Sequence, residues 1–347
     1  MASEANSAVA IASIPVIDVS SFATGTLLPS PEALEVAAVI DRTCRELGFL
    51  LVKGHGVRQS TKENLLAKMR EFFALPVEEK EKIAIGKSQF HRGYIGIGDE
   101  NLEGALADTE LQATSGVGDL KEGIDSGLEQ GPSHREVIAG TPLHGPNQLP
   151  NLPGYREAWQ EYFDEGYEAV RRLQRGVALA LNLDPNFFED QPGEPMLHLR
   201  MLHYPPSHKV NTTLGRIGCG AHTDYGTITV LCDDGVGGLQ VRRRDGEWID
   251  VQVPDGHLVV NLGDLLAIWT NDRYVSNPHR VINPPELDRY SIPLFVTPPF
   301  HLTIEALETC VVPGEEPRHA PMVSGAYLLS RFDGTHNYRD PLLEDGE

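Results

Sequence analysis

The chain has 347 residues, with 29 lysines and arginines against 50 aspartates and glutamates, a formal charge of −21, 40% hydrophobic residues and 23% charged ones. That balance excludes a chain disordered throughout, and it repels polyanions such as nucleic acid or an anionic membrane surface. The longest apolar run is five residues, as at Val177–Leu181, against about 20 for a bilayer span; Met1–Ala10 carries Glu4 and no Lys or Arg, unlike a secretory leader, so the cytoplasm is the expected compartment.

Residues 1–13 are small and polar and read as a flexible lead-in, after which Ile14-Pro-Val-Ile-Asp18 alternates as a short strand does. Pro31 opens an amphipathic helix carrying Leu34, Val36, Val39, Ile40 and Cys44, which Gly48 ends before the apolar strand Phe49–Val52. Ser60 and Glu63 form a capping-box signature ahead of a second helix with Leu65, Leu66, Met69, Phe72 and Phe73 on one face. The charge run Glu78–Lys82 reads as its solvated continuation. Residues 86–154 are rich in Gly and Pro, and Gly93-Tyr-Ile-Gly96-Ile-Gly98 does not fit a dinucleotide-binding fingerprint. Steps of three and four from Tyr155 through Trp159, Phe163, Val170 and Val177 then predict a long helix stopping before Asp184-Pro185.

From about Met196 the period changes to two. Thr227–Leu231, Gly238–Arg242, Trp248–Val251, His257–Leu262 and Ile292–Val296 read as strands, with Asp245-Gly246 at a hairpin turn. Short strands at even spacing without intervening helices predict an antiparallel sandwich or barrel of jelly-roll type. The expected division is an N-terminal helical and short-strand region over 14–195, a barrel over 196–338, and an acidic tail over 339–347. The four cysteines are widely spaced, with no Cys-x-x-Cys, and read as partly buried thiols.

The chemistry concentrates in His222-Thr-Asp224 and His279. Residues i and i+2 of a strand share a face, so His222 and Asp224 can meet one ion, and His279 from another strand completes two imidazoles and a carboxylate. That donor set suits non-haem Fe(II) with open positions for co-substrate and oxygen. Ten residues later, Arg289-Tyr-Ser291 presents a guanidinium and a hydroxyl on one face, a pair that fits the distal carboxylate of a 2-oxo diacid.

These motifs resemble those of the Fe(II)- and 2-oxoglutarate-dependent dioxygenases, in the branch of isopenicillin N synthase and the plant flavonoid and hormone oxygenases. The resemblance covers nearly the whole chain. Ile14–Asp18, Gly48–Gly56 and Phe72-Phe-Ala-Leu-Pro76 are similar to the N-terminal region of that branch. Tyr204-Pro-Pro206, His222-Thr-Asp224, Gly237-Gly-Leu-Gln-Val241, Asn261-Leu-Gly-Asp264, Ser276-Asn-Pro-His-Arg280 and Arg289-Tyr-Ser291 are similar to its core, in its order. The resemblance implies a distorted double-stranded β-helix (a cupin-like jelly roll) with N-terminal helices packed outside. It also implies Fe(II), 2-oxoglutarate and O2 as cofactor and co-substrates, ascorbate as an additional reductant, and Tyr204 as a co-substrate contact. Leu202 departs from the pattern, because plant members often carry Asn at that position. The implied substrate pocket lies around Tyr94–Leu111, Phe295 and Phe332.

The reaction expected is oxidation of a small organic metabolite, by default hydroxylation, coupled to conversion of 2-oxoglutarate to succinate and CO2. Desaturation, cyclisation and epoxidation would use the same residues. The rival readings are a 2-oxoglutarate-independent oxidase of the isopenicillin N synthase type and a non-catalytic cupin-like binding module. Other polar residues carry no role in this reading: His55 sits in a loop, His198, His203 and His208 are ordinary polar residues, Asn261 and Asp264 serve a turn, Arg242–Arg244 lies on a hairpin edge, and Asn211–Thr213 is an unused glycosylation pattern.

Overall fold

A computed structural model describes residues 14–102, 118–206 and 217–335. The lead-in, the acidic tail, His208 and Asn211–Thr213 therefore lie outside the described residues.

Strand β1 (Val16–Asp18) leads to α1 (Pro31–Glu46), whose start follows the sequence reading: the Ser30 hydroxyl accepts from the Ala33 N–H and Pro31 takes the first turn. Gly48 ends it with φ +67°, and a Cβ there would lie 2.1 Å from the Val275 carbonyl oxygen, so only glycine lets β2 (Phe49–Lys53) follow at once. Helix α2 (Gln59–Phe73) departs from expectation. It starts two residues early, no side chain caps it, and Glu63 accepts from the Gln59 amide instead of forming a capping box. Arg58 sets this entry by donating its backbone N–H to Glu165 and its guanidinium to Glu161 and Glu165. Pro76 then breaks the helix, and the charge run forms a single turn, α3 (Val77–Lys80). Lys80 is buried rather than solvated, its Nζ 2.6 Å from a Glu122 carboxylate oxygen.

Strands β3 (Gly93–Ile95) and β4 (Glu122–Gly127) come from the segment that shows no period, followed by α4 (Arg135–Ile138). Helix α5 (Tyr155–Ala180) runs 26 residues and stops at Asn182, which takes φ +57°, just before Asp184-Pro185. The β-rich half holds β5 (Met196–Tyr204), β6 (Ile217–His222), β7 (Ile228–Asp233), β8 (Leu239–Arg242), β9 (Trp248–Asp250) and β10 (Leu258–Leu262). After them come α6 (Asp264–Trp269), β11 (His279–Ile282), β12 (Arg289–Thr297), β13 (Thr303–Ile304), β14 (Met322–Val323) and α7 (Ser324–Asp333). The Asp245-Gly246 hairpin joins β8 to β9, with Gly246 at φ +90° closing the turn.

Two main sheets result, a large one in the order β1-β2-β10-β7-β12-β5-β4-β3 and a small one in the order β6-β11-β8-β9, with β13 and β14 paired apart from them. Every pairing in them is antiparallel except β1 with β2. The large sheet is buried on both faces, and strand parity sorts its side chains. Leu50, Val52, Leu258, Val260, Leu199, Met201, Ile292 and Leu294 face outward into a core shared with Ile40, Phe72, Trp159, Tyr162 and Leu173 of α1, α2 and α5. Phe49, Leu51, Val259, Leu202 and Tyr204 face inward against Leu239, Val241 and Val281 of the small sheet. Among the described residues no helix is long and apolar enough to cross a membrane.

The outward core draws on both halves of the chain, and each large apolar side chain it covers is worth about 1.5–3 kcal/mol. A fragment beginning at Met196 is expected to expose on the order of several hundred Å² of apolar sheet and to aggregate in size-exclusion chromatography, although it keeps His222, Asp224, His279, Arg289 and Ser291. Recovery of that fragment as a cooperatively melting monomer would establish two independent domains.

Candidate active site

The cavity lies between the sheets, and strand parity lays out its walls. On β5 the inward positions are His198, Arg200, Leu202 and Tyr204; on β12 they are Arg289, Ser291, Pro293 and Phe295. The two strands pair with Arg289 opposite Tyr204, Ser291 opposite Leu202 and Phe295 opposite His198. The six-residue step from Tyr204 to His198 covers about 20 Å of strand. Two lobes open along it and share Leu102, Arg200, His222, Asp224 and Phe295.

His222, Asp224 and His279 stand where the lobes meet. His222 ends β6 opposite His279 on β11, with ring centroids 4.3 Å apart. Asp224 is not on the same strand as His222, contrary to the sequence reading: it lies in the connection to β7, where its carbonyl accepts from the Asp264 N–H at 2.7 Å. The turn, rather than strand alternation, brings the carboxylate round. Each imidazole donates its Nδ1–H to a backbone carbonyl, His222 to Gly220 at 2.8 Å and His279 to Asn277 at 3.2 Å, in the tautomer this geometry assigns. Both Nε2 lone pairs are then free and lie 3.7 and 3.6 Å from Asp224 Oδ1. One donor atom from each residue falls within 4.8 Å of the others, the only such group of metal-type donors among the described residues. Burial, with the neighbouring His222 ring, lowers the His279 pKa to about 4, which keeps it a neutral donor at pH 7. Burial raises the Asp224 carboxyl, but His279, His222 and two hydrogen bonds outweigh it and hold the group ionised.

Those two bonds come from a residue read as a turn former and from one not singled out. Asn261 Nδ2 donates to Asp224 Oδ2 at 2.6 Å, and the Thr229 hydroxyl donates to the same oxygen, which leaves Oδ1 for an ion. Asn261 sits inside β10, on the inward face with Val259. Its parity with Val259 was a usable signal, because a polar residue on an inward face needs a partner. Asp264 begins α6 and accepts from Thr223 at 3.2 Å and Tyr327 at 2.8 Å. Asn261→Ala is expected to lower iron affinity about 10–100-fold, as removal of a group that orients a ligand typically does; competitive chelator titration measures it.

Arg289 is fully buried at the end of the other lobe. Its Nε donates to the Gly237 carbonyl at 2.6 Å, its Nη1 donates to Ser291 Oγ at 3.3 Å, and its guanidinium carbon lies 4.7 Å from the Tyr204 ring centroid. Nη2 is buried with no hydrogen-bond partner. A buried guanidinium holding an unused donor is costly, and a ligand carboxylate is the group that would satisfy it. Gly218 on β6 makes room, since a Cβ there would lie 2.7 Å from Tyr204 Cδ1 and 1.8 Å from Asn283 Oδ1. Leu202 lines this lobe, as do Lys121 and Cys219.

The other lobe is lined by His91, Glu100, Asp125, His198, Arg200, Tyr225, Phe295 and Phe332, among others. Phe295 and Phe332 fall where the resemblance placed a pocket. Tyr94 does not: it faces outward and donates to Glu122 at 2.7 Å. Residues 103–111 lie outside the described residues. Of the histidines read as ordinary, His55 bonds the Gly256 carbonyl and the Val57 N–H, and His203 bridges Glu122 and Asp288 away from the cavity. His198 does line this other lobe, a position its spacing did not reveal.

A jelly roll that carries two imidazoles, a carboxylate and an inward Arg-x-Ser defines a class, the non-haem iron oxygenases. Comparison with known proteins narrows it. The family model described as "non-haem dioxygenase in morphine synthesis N-terminal" matches residues 14–152, and that of the 2OG-Fe(II) oxygenase superfamily matches 195–298. A 2-oxoglutarate-Fe(II) type oxidoreductase of Emericella nidulans is 36% identical over 340 residues, covering 95% of this chain and 93% of its own. A homoarginine-6-hydroxylase of Glycine max is 38% identical over 313 residues, covering 86% and 89%. The crystal structure of a full-length Neurospora crassa protein in complex with α-ketoglutarate and thymine superposes with a TM-score of 0.75 at 31% identity, covering 92% of this chain and 96% of that one. The chain belongs to the Fe(II)- and 2-oxoglutarate-dependent dioxygenases, in the isopenicillin N synthase-like branch. It is an enzyme that uses Fe(II), 2-oxoglutarate and O2 on a small-molecule substrate, with hydroxylation as the typical reaction.

Proposed function

We propose that His222, Asp224 and His279 hold the iron, that Arg289, Ser291 and Tyr204 hold the distal carboxylate of 2-oxoglutarate, and that the lobe beside His198 holds the substrate. The observation that carries this reading is the buried, partnerless Arg289 Nη2 at one end of a cavity with the three donor residues at its centre. Bound Fe(II) supplies O2 activation, so that one oxygen atom goes to succinate, formed with loss of CO2, and the other to the substrate as a hydroxyl.

The protein orients and encloses. Asn261 and Thr229 fix the Asp224 carboxylate, the Gly220 and Asn277 carbonyls fix the two imidazoles, and Arg289 with Ser291 offers a fork that sets the direction of the co-substrate. The apolar wall of Phe49, Leu202, Leu231 and Val281 keeps water from the carboxylate–guanidinium pair, which strengthens it. The acidic balance of the chain supports a small metabolite rather than nucleic acid or an anionic membrane as its partner. Anaerobic titration is expected to give one Fe(II) and one 2-oxoglutarate per chain, and addition of O2 to release succinate and CO2 in equal amounts. Binding of 2-oxoglutarate that persists unchanged in Arg289→Ala would overturn the placement.

A further inference from the structure

His198 is 5% exposed, stands on the inward face of β5 and lines the substrate-side lobe, yet its Nε2 is buried with no hydrogen-bond partner. Buried ring nitrogens normally have one, so this atom is reserved for a group that arrives from outside. Burial, with the nearby Arg92 and His91, holds the ring well below its ordinary pKa, so it is neutral and can accept or donate a hydrogen bond without bringing charge.

Three charged groups that line the lobe, Arg200, Glu100 and Asp125, are already committed to one another, and Arg92 nearby donates to the Phe90, His91 and Leu143 carbonyls. Arg200 donates from Nη1 and Nη2 to the two Glu100 carboxylate oxygens, at 3.0 and 3.1 Å, and from Nε to Asp125 at 2.6 Å. Glu100 also takes Lys121 at 2.8 Å, and the second Asp125 oxygen lies 3.4 Å from His91 Nε2. Glu100 and Asp125 are thus both held by a cation, and the guanidinium by two carboxylates. A charged substrate group would have to break a buried pair to be bound, whereas an uncharged one needs only the open nitrogen. Phe332 stacks on His91 at 4.1 Å and lies edge-on to His198 at 5.9 Å, and Leu102, Leu328, Thr223 and Thr297 also line the lobe.

We propose that His198 is a specificity-determining residue that hydrogen-bonds through Nε2 to a small, uncharged, polar substrate presenting an amide-like N–H or C=O, and that the lobe rejects substrates whose inserted end is charged. This rests on the assignment of the cavity as the Fe(II) and 2-oxoglutarate site, and it names the class of substrate that site takes.

The test uses the full chain loaded with Fe(II). Two probe sets are compared, the uncharged amides thymine, uracil and 2-piperidone and the charged amino acids L-homoarginine, L-arginine and L-lysine. Succinate release is followed in air, and probe binding by isothermal titration under nitrogen with 2-oxoglutarate present. At least one uncharged probe is expected to accelerate succinate release and to bind, while the charged set does neither. His198→Leu should weaken binding of that probe and raise its KM roughly 2- to 12-fold, the usual effect of one lost hydrogen bond, with the 2-oxoglutarate dissociation constant unchanged from wild type. His198→Gln, which keeps a hydrogen-bonding end, should recover part of the loss. Acceleration by the charged set alone, or by neither set, overturns the proposal, as does a folded His198→Leu enzyme with unchanged probe affinity. If wild-type protein fails to bind 2-oxoglutarate, the cavity assignment falls first and this proposal with it; intact 2-oxoglutarate binding with an indifferent His198 sinks this proposal alone.

Discussion

Asp224→Ala is expected to leave a folded chain that neither retains iron through gel filtration under iron-limited conditions nor turns over. The carboxylate is the one anion among the three donors, and it lies within 3.7 Å of both His222 and His279 Nε2. Its loss leaves two neutral imidazoles facing a divalent ion, and it also strands Asn261 Nδ2 and the Thr229 hydroxyl, which both donate to that carboxylate. The deficit in iron affinity should exceed the roughly 10–100-fold that follows from removing a supporting partner alone, so Asp224→Ala must be worse than Asn261→Ala. The measurement is iron per chain alongside succinate formation. Stoichiometric iron with turnover in the variant would remove Asp224 from the site.

The second large effect falls on co-substrate affinity. Arg289→Ala is expected to raise the apparent KM for 2-oxoglutarate by roughly 30-fold to several-thousand-fold, because truncating one partner of a buried, hydrogen-bonded charge pair costs about 2–5 kcal/mol. Arg289→Lys keeps the charge but loses the fork and the bonds to Gly237 and Ser291, and should fall at the low end of that range. In both variants the KM for the oxidised substrate should move less, since Arg289 lines only the lobe away from His198. A 2-oxoglutarate constant unchanged in both variants would show that the carboxylate binds elsewhere.

Much of this was readable along the chain. Local signals located the helices at Pro31–Glu46 and Tyr155–Ala180: spacing of apolar residues, a Ser-Pro start, and a glycine stop for the first of them. The change of period near Met196 marked the jelly roll, and the residue types at 222, 224, 279, 289 and 291 by themselves point to iron and a 2-oxo diacid. Arg289 and Ser291 share a face because they are two apart on one strand, a property needing no distant information.

The tertiary structure decided the rest, for one physical reason: the partner of a polar residue lay far off in sequence. Asn261 and Asp224 are 37 positions apart, Arg200 and Glu100 are 100 apart, and Lys80 and Glu122 are 42 apart. Inward or outward parity has meaning only once a strand's neighbours are known, so Asn261 read as a turn former, Lys80 as a solvated charge and His198 as an ordinary histidine. The short strands β3 and β4 carry no period of their own: β4, which supplies Asp125 to the lobe beside His198, takes its form from pairing with β5, and β3 from pairing with β4. Residue chemistry and local spacing determined what the site can bind and in what order its donors come. Long-range strand register, by choosing which side chains face one another across the cavity, determined how those donors are held and which side chains line the cavity beside them.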